Sequence, residues 1–284
     1  MDAVRRFSKP QLRRPHAILA FEGWNDAADS ATGTVRYLVE QFHLTEPFAA
    51  IDPEEFYDFQ AHRPQVKIDD GGTRSLSWPM TRFFAAEVPD GDRDLILVIG
   101  DEPSFRWKTY SRHVTQVLVE NDVENAVLLG AFIGRVSHNA RVPVVGVATD
   151  PGLVTDLGLM TSSYEGPTGI VGVLLEACRE VGLPTLSFWA ATPHYLAGNP
   201  NPKAMLALTR TVRDALDIKI ELDRLDTMAN EFVERVESAL ETSGELRDYV
   251  AELDVADDTT VLNPGASAEL LGEIEDFLRD QRDR

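Results

Sequence analysis

The chain has 284 residues, 43% of them hydrophobic, a formal net charge of −20 and a single cysteine. That length can bury a large core, enough for one big α/β domain or two smaller ones. The acidic surface repels phosphate backbones and argues against a nucleic-acid partner, one cysteine excludes an intrachain disulfide, and no apolar run is long enough to predict a membrane span.

Residues 1–14 hold Arg5, Arg6, Lys9, Arg13 and Arg14 and read as a flexible basic arm. They lack the apolar segment of a signal peptide, so a cytoplasmic location is expected. The run Ala17-Ile18-Leu19-Ala20-Phe21 reads as a buried strand ending at Glu22-Gly23-Trp24-Asn25-Asp26. Asn25 or Asp26 suits the N-cap of a helix whose inner face is Ala28, Ala31, Val35, Leu38 and Phe42. Phe48–Asp52 reads as a second strand. Residues 53–92 are rich in short strands, at 56–59, 66–68, 75–78 and 83–88, with a hairpin signal at Asp69-Asp70-Gly71-Gly72.

Leu95–Gly100 is the strongest buried-strand signal in the chain. Asp101-Glu102-Pro103 follows, then a helix with Trp107, Tyr110, Val114, Val117 and Asn121 on one face. Strands are predicted at Ala126–Gly130, Val144–Ala148 and Thr185–Ala190, and helices at 168–181 and 203–216. Cys178 falls in the apolar pattern of the first of these helices and reads as a buried hydrophobe. Alternating strands and helices predict a three-layer α/β/α sandwich with a mainly parallel sheet over 15–217, the strands of Ile18, Leu97, Leu128, Val145 and Phe188 lying at its centre.

The pattern changes after Asp217. Ile218, Leu222, Leu225, Ala229, Phe232, Val236 and Ala239 recur at four- and three-residue steps, as in a coiled coil. Thr242-Ser243-Gly244 breaks this helix, a second follows, and Leu270 to Leu278 predicts a last one. Residues 218–284 therefore read as a helical extension that packs on its own domain.

Four polar turns follow strands: 22–26, 101–103, 137–141 and 193–195. In a doubly wound sheet such turns gather along one edge. A cleft there would hold Glu22, Asp26, Glu102, Arg141 and His194, with carboxylates, an arginine and a histidine available for acid–base work or anion binding. The helix start at Glu165, Gly166, Thr168 and Gly169 would add free N–H groups. One pocket is thus expected from Glu22, Gly23, Trp24, Asn25 and Asp26 with that start and with His194 and Tyr195. The six histidines are scattered and no metal or cofactor is expected. The segment at 165–172 is neither a P-loop nor a dinucleotide fingerprint, and Ser137-His138, adjacent in sequence, cannot form a nucleophile–base pair.

Several stretches taken together resemble the proteasome assembly chaperone 2 family, especially its actinobacterial branch. They are Phe21-Glu22-Gly23-Trp24-Asn25-Asp26-Ala27; Gly100-Asp101-Glu102-Pro103 with Trp107; Tyr164-Glu165-Gly166-Pro167-Thr168-Gly169; and Trp189-Ala190-Ala191-Thr192-Pro193-His194-Tyr195, extended by Asn199-Pro200-Asn201-Pro202-Lys203-Ala204. The resemblance implies a core similar to purine nucleoside phosphorylases and related hydrolases. It implies a homo-oligomer, a trimer for preference, and a role in protein assembly, with proteasome subunits as candidate partners. The chain ends Asp280-Gln281-Arg282-Asp283-Arg284, which departs from the hydrophobic-Tyr-any tail by which such chaperones dock on the proteasome ring. That docking mode is therefore not carried over. A non-enzymatic assembly or interaction factor is the preferred expectation, and a phosphorylase- or hydrolase-like enzyme using the strand-end cleft is the alternative.

Overall fold

In chain order, the computed structural model contains β1 (Val4–Arg6), β2 (His16–Glu22), α1 (Ser30–Gln41), β3 (Ala49–Ile51), β4 (Gln65–Ile68), β5 (Arg74–Ser77), β6 (Thr81–Ala86), β7 (Leu95–Asp101) and α2 (Trp107–Glu120). It continues with β8 (Asn125–Gly134), β9 (Val144–Ala148), α3 (Pro151–Asp156), β10 (Met160–Thr161), α4 (Ile170–Glu180), β11 (Thr185–Pro193), α5 (Pro202–Leu216), α6 (Asp223–Leu240) and α7 (Gly244–Val255). The structure describes residues 3–255 apart from 70, 90, 163, 242 and 243. The helix expected over 270–278 lies outside the described residues.

Nine strands form one mixed sheet in the order β1-β3-β6-β7-β2-β8-β11-β9-β10. Its centre, β7-β2-β8-β11, is parallel throughout. Alternation along β2 divides the core between the two faces. Ile18 and Ala20 point to one cluster, with Leu97, Val127, Leu129 and Phe188 under α1 and α5. Ala17, Leu19 and Phe21 point to the other, with Ile96, Val98 and Leu128 under α2 and α4. This is the three-layer sandwich that the sequence predicts.

Three details differ from expectation. The strand of Val145 is not central: β9 lies outside β11, antiparallel to it. The connection over 135–143 carries no helix, and a parallel return needs a longer, usually helical, crossover. Residues 56–59 form no strand. Instead Phe56 and Tyr57 are buried in a turn, where the Phe56 carbonyl accepts from the N–H groups of Ser104 (2.8 Å) and Phe105 (3.0 Å). The basic arm, expected to be flexible, contributes β1, which pairs antiparallel with β3. An edge strand leaves backbone groups in need of partners, and Val4 joins the core beside Ala49 and Ile51. Farther along the arm, Arg13 reaches the nearly fully buried Asp94 at 2.6 Å.

The four-three pattern after residue 218 begins with a non-helical stretch and becomes α6. Leu222, Leu225 and Ala229 complete the apolar cluster under α5, and the Tyr37 hydroxyl of α1 donates to the Glu221 carbonyl at 2.8 Å. Phe232, Val236 and Leu240 pack with Val250 of α7 against Tyr195 and Leu196.

Candidate functional site

The C-terminal ends of the four central parallel strands carry the predicted turns. Glu22 and Asp101 are paired in register, and the Glu102 N–H donates to the Glu22 carbonyl at 3.0 Å. Gly23 turns the chain at φ +107, a conformation that side chains oppose, and a Cβ there would stand 3.2 Å from the Glu102 Cβ. Trp24 then projects outward and is 58% exposed, whereas Asn25 is 0% exposed. The Asn25 carbonyl accepts from the Ala131 N–H of β8 at 2.8 Å, so the turn is fastened to the neighbouring strand.

Two of the predicted carboxylates are committed to helix starts. Asp26 Oδ1 accepts from the N–H groups of Ala31 (2.7 Å) and Thr32 (3.1 Å), and Oδ2 accepts from the Thr32 hydroxyl. It caps α1 from a distance because Ala28 and Asp29 adopt positive φ and delay the first regular turn. Burial, opposed by these bonds, pushes the Asp26 carboxyl above its ordinary value. Glu102 Oε1 accepts from Asn25 Nδ2 and from the Ile170 N–H, both at 2.7 Å. It therefore supplies the cap of α4 that Gly169, with no side chain, cannot. A Cβ at Gly169 would collide with the Asn25 amide, which explains a glycine where the α4 start and the Asn25 turn approach. The structure thus gathers Gly23, Asn25, Glu102 and Gly169, while Glu165, Gly166 and Thr168 lie exposed just before them.

Glu22 faces elsewhere. It bonds Arg36 and lines a cavity of about 280 Å³ with Arg36, Met80, Arg82 and Asp101. Burial and the neighbouring Asp101 raise its pKa against the pull of Arg36.

His194, Tyr195 and Arg141 lie on the other side of β8. His194 packs edge-to-face on Tyr195 (5.3 Å) and on Tyr249 of α7 (5.4 Å), and burial lowers its pKa. The Tyr195 hydroxyl accepts from the His138 N–H at 2.9 Å and stands 2.8 Å from His138 Nδ1. His138 Nε2 lies 3.0 Å from Glu237 Oε1 of α6. Lys203 Nζ donates to the carbonyls of His138, Asn139 and Ala140. Arg141, exposed, lines a groove of about 990 Å³ with Met160, Leu206, Arg210 and Val233.

The expected single pocket is therefore divided. Glu22 is linked to Arg36 and Asp101, His194 to two tyrosines, and β8 stands between them. The turn of His138 was legible in the sequence, but its pairing with Glu237 was not, since no spacing relates residues so far apart in the chain, and Glu237 occupies an ordinary polar position of a four-three helix. Among the described residues no group of three or more His, Cys, Asp or Glu is placed to hold a metal ion, and no helix is long and apolar enough to cross a membrane.

A family model described as the PAC2 family matches residues 20–240. A solved PAC2 family protein from Streptomyces avermitilis is 42% identical, covers 83% of this chain and 99% of its own, and superposes with a TM-score of 0.76. The Mycobacterium tuberculosis proteasome-assembly chaperone homologue is 40% identical, with the same two coverages and the same TM-score. An archaeal proteasome activator from Pyrococcus furiosus, 18% identical, shares the fold at a TM-score of 0.65 over 83% of this chain and 97% of its own. A search of curated proteins finds no match. The span of the family model takes in the capped turns, Glu102, the start of α4 and all of α6, and the chain belongs to the PAC2 family.

Proposed function

We propose that this protein is a non-enzymatic, chaperone-like factor for protein assembly, acting as a homo-oligomer, preferably a trimer, with proteasome subunits as its candidate partners. Membership of the PAC2 family and 40% identity to a proteasome-assembly chaperone homologue support the reading. The observation that carries it is the division of labour at the strand ends. Asp26 and Glu102 are used to hold helix starts, while Trp24 and Phe105, at 58% and 52% exposure, stand in adjacent turns. Carboxylates held by backbone and side-chain donors, Asp26 buried and Glu102 half-buried, fix a shape. Exposed aromatics beside them are the residue type that anchors protein interfaces. Residues 218–284 would then be an extension docked on the 15–217 domain, with α6 and α7 its inner part.

The test is a pull-down with purified proteasome subunits beside a turnover screen of nucleosides with phosphate. Direct capture that Trp24→Ala weakens at an unchanged melting temperature supports the reading. Absence of capture together with turnover of a nucleoside would replace it by the enzyme.

A further inference from the structure

A groove of about 990 Å³ separates the β9–β10 edge of the sheet from α5 and α6. Val144, Leu159 and Met160 line one side of it, and Ala207 of α5 and Val233 of α6 the other. Met160 is 50% exposed there, and β10, the outermost strand, has no strand partner on its far side among the described residues. Apolar side chains along an open edge call for a cover. The end of the described chain indicates what supplies it. Helix α7 finishes at Val255. One residue earlier, Asp254 Oδ2 accepts from Asn139 Nδ2 at 3.4 Å. The Asn139 carbonyl in turn accepts from Lys203 Nζ at 3.1 Å, and Lys203 and Arg141 both line the groove. The chain beyond residue 255 therefore sets out from the groove's basic end.

That remaining chain carries Leu270, Leu271, Ile274, Phe277 and Leu278 at i, i+1, i+4, i+7 and i+8, the anchor spacing of an amphipathic helix laid in a groove. A helix so short is not stable in water without a surface to lie on. The stretch 269–278 also holds Glu269, Glu273, Glu275 and Asp276 and no basic residue. Among the groove's lining residues, Asp226 is paired with Arg210 and Asp214 with Arg213. This leaves Arg141 and Lys203 against the one carboxylate of Glu234, so the free charge of the groove is opposite in sign to that of the stretch. Residues 256–269 span about 20 Å as a flexible chain. A linker of that reach holds the stretch beside the groove at millimolar effective concentration, an advantage that a free protein has to overcome. We propose that residues 270–278 lie in the groove between the β9–β10 edge and α5–α6 of their own chain, apolar face inward and carboxylates toward Arg141 and Lys203. The inference rests on the reading of residues 218–284 as an extension docked on the 15–217 domain, and assigns the outer part of that extension to a surface.

The full-length protein with Phe277→benzoylphenylalanine, and the double variant Leu271→Glu/Ile274→Glu, test it. On illumination the benzophenone should join the groove segments around Met160 or Val233, in a product of single-chain mass on a denaturing gel. Met160 is the second reporter. Its thioether should be oxidised by hydrogen peroxide several-fold faster in Leu271→Glu/Ile274→Glu than in wild type, with the melting temperature of the domain retained. An adduct elsewhere or none, or equal oxidation in the two proteins, overturns the groove assignment and leaves α6 and α7 packed on the domain as described. A groove adduct of two-chain mass gives the groove to the tail of a second copy. It overturns the assignment together with the reading of the outer extension as docked on its own domain.

Discussion

Removing the Glu102 carboxylate should unfasten two elements at once. Its Oε1 is the common acceptor for Asn25 Nδ2 and the Ile170 N–H. In Glu102→Ala, α4 loses its cap, which costs about 1 kcal/mol. The Asn25 amide, fully buried, also loses its acceptor, and a stranded buried donor costs about 1–3 kcal/mol. Together these give roughly 2–4 kcal/mol, which for a domain of this size lowers the melting temperature by roughly 5–15 °C. Glu102→Gln keeps a carbonyl oxygen at the same place. It loses chiefly the favourable charge at a helix N-terminus, about 0.3–1 kcal/mol. Asn25→Ala combined with Glu102→Ala should cost less than the sum of the single changes, because each single change already breaks the shared bond. Urea unfolding of the wild type and of these four variants measures all of this. The account is refuted if Glu102→Ala costs less than about 0.5 kcal/mol, if Glu102→Gln is as harmful as Glu102→Ala, or if the double variant is simply additive.

Two further predictions concern buried ionisable groups. Burial holds the Asp26 carboxyl above its ordinary value of 3.8, so the folded protein binds that proton more tightly than the unfolded chain. Asp26 therefore costs stability as the pH rises from the unfolded value through the folded one. Asp26→Asn retains an acceptor for α1 without the charge. Its stability relative to wild type should climb through that window and level off above it, and a pH-independent difference in urea titrations contradicts the reading. Burial also pushes the Cys178 thiol up to about 11, so alkylation at about pH 8 should be on the order of 100-fold slower in the native protein than in the unfolded one. Rapid native labelling by iodoacetamide would show that α4 does not seal it.

Much of this was legible along the chain. The continuous apolar runs at Ile18, Leu97, Leu128 and Phe188 fixed the parallel centre, because strands buried on both faces have no polar side to show. The four-three spacing fixed α6 for the same reason: a periodic apolar stripe is a local property of consecutive residues. A cap at Asn25 or Asp26 was also legible, since a cap reaches only a few positions ahead, but only the structure gives the role to Asp26 and turns the Asn25 side chain to Glu102. What the tertiary structure alone decided were relations between distant residues. Glu102 caps a helix that begins at Ile170, His138 meets Glu237 across 99 residues, and Arg13 finds Asp94. No spacing rule encodes such pairs, because the sheet order that juxtaposes them depends on the whole fold. The same holds for Val145, whose residues read as those of a central strand but whose place near the sheet edge was settled by β11, which arrives later in the chain and inserts between β8 and β9. Only the assembled sheet separates Glu22 from His194, since turns that a chain-order reading brings to one edge can still lie on opposite sides of an intervening strand.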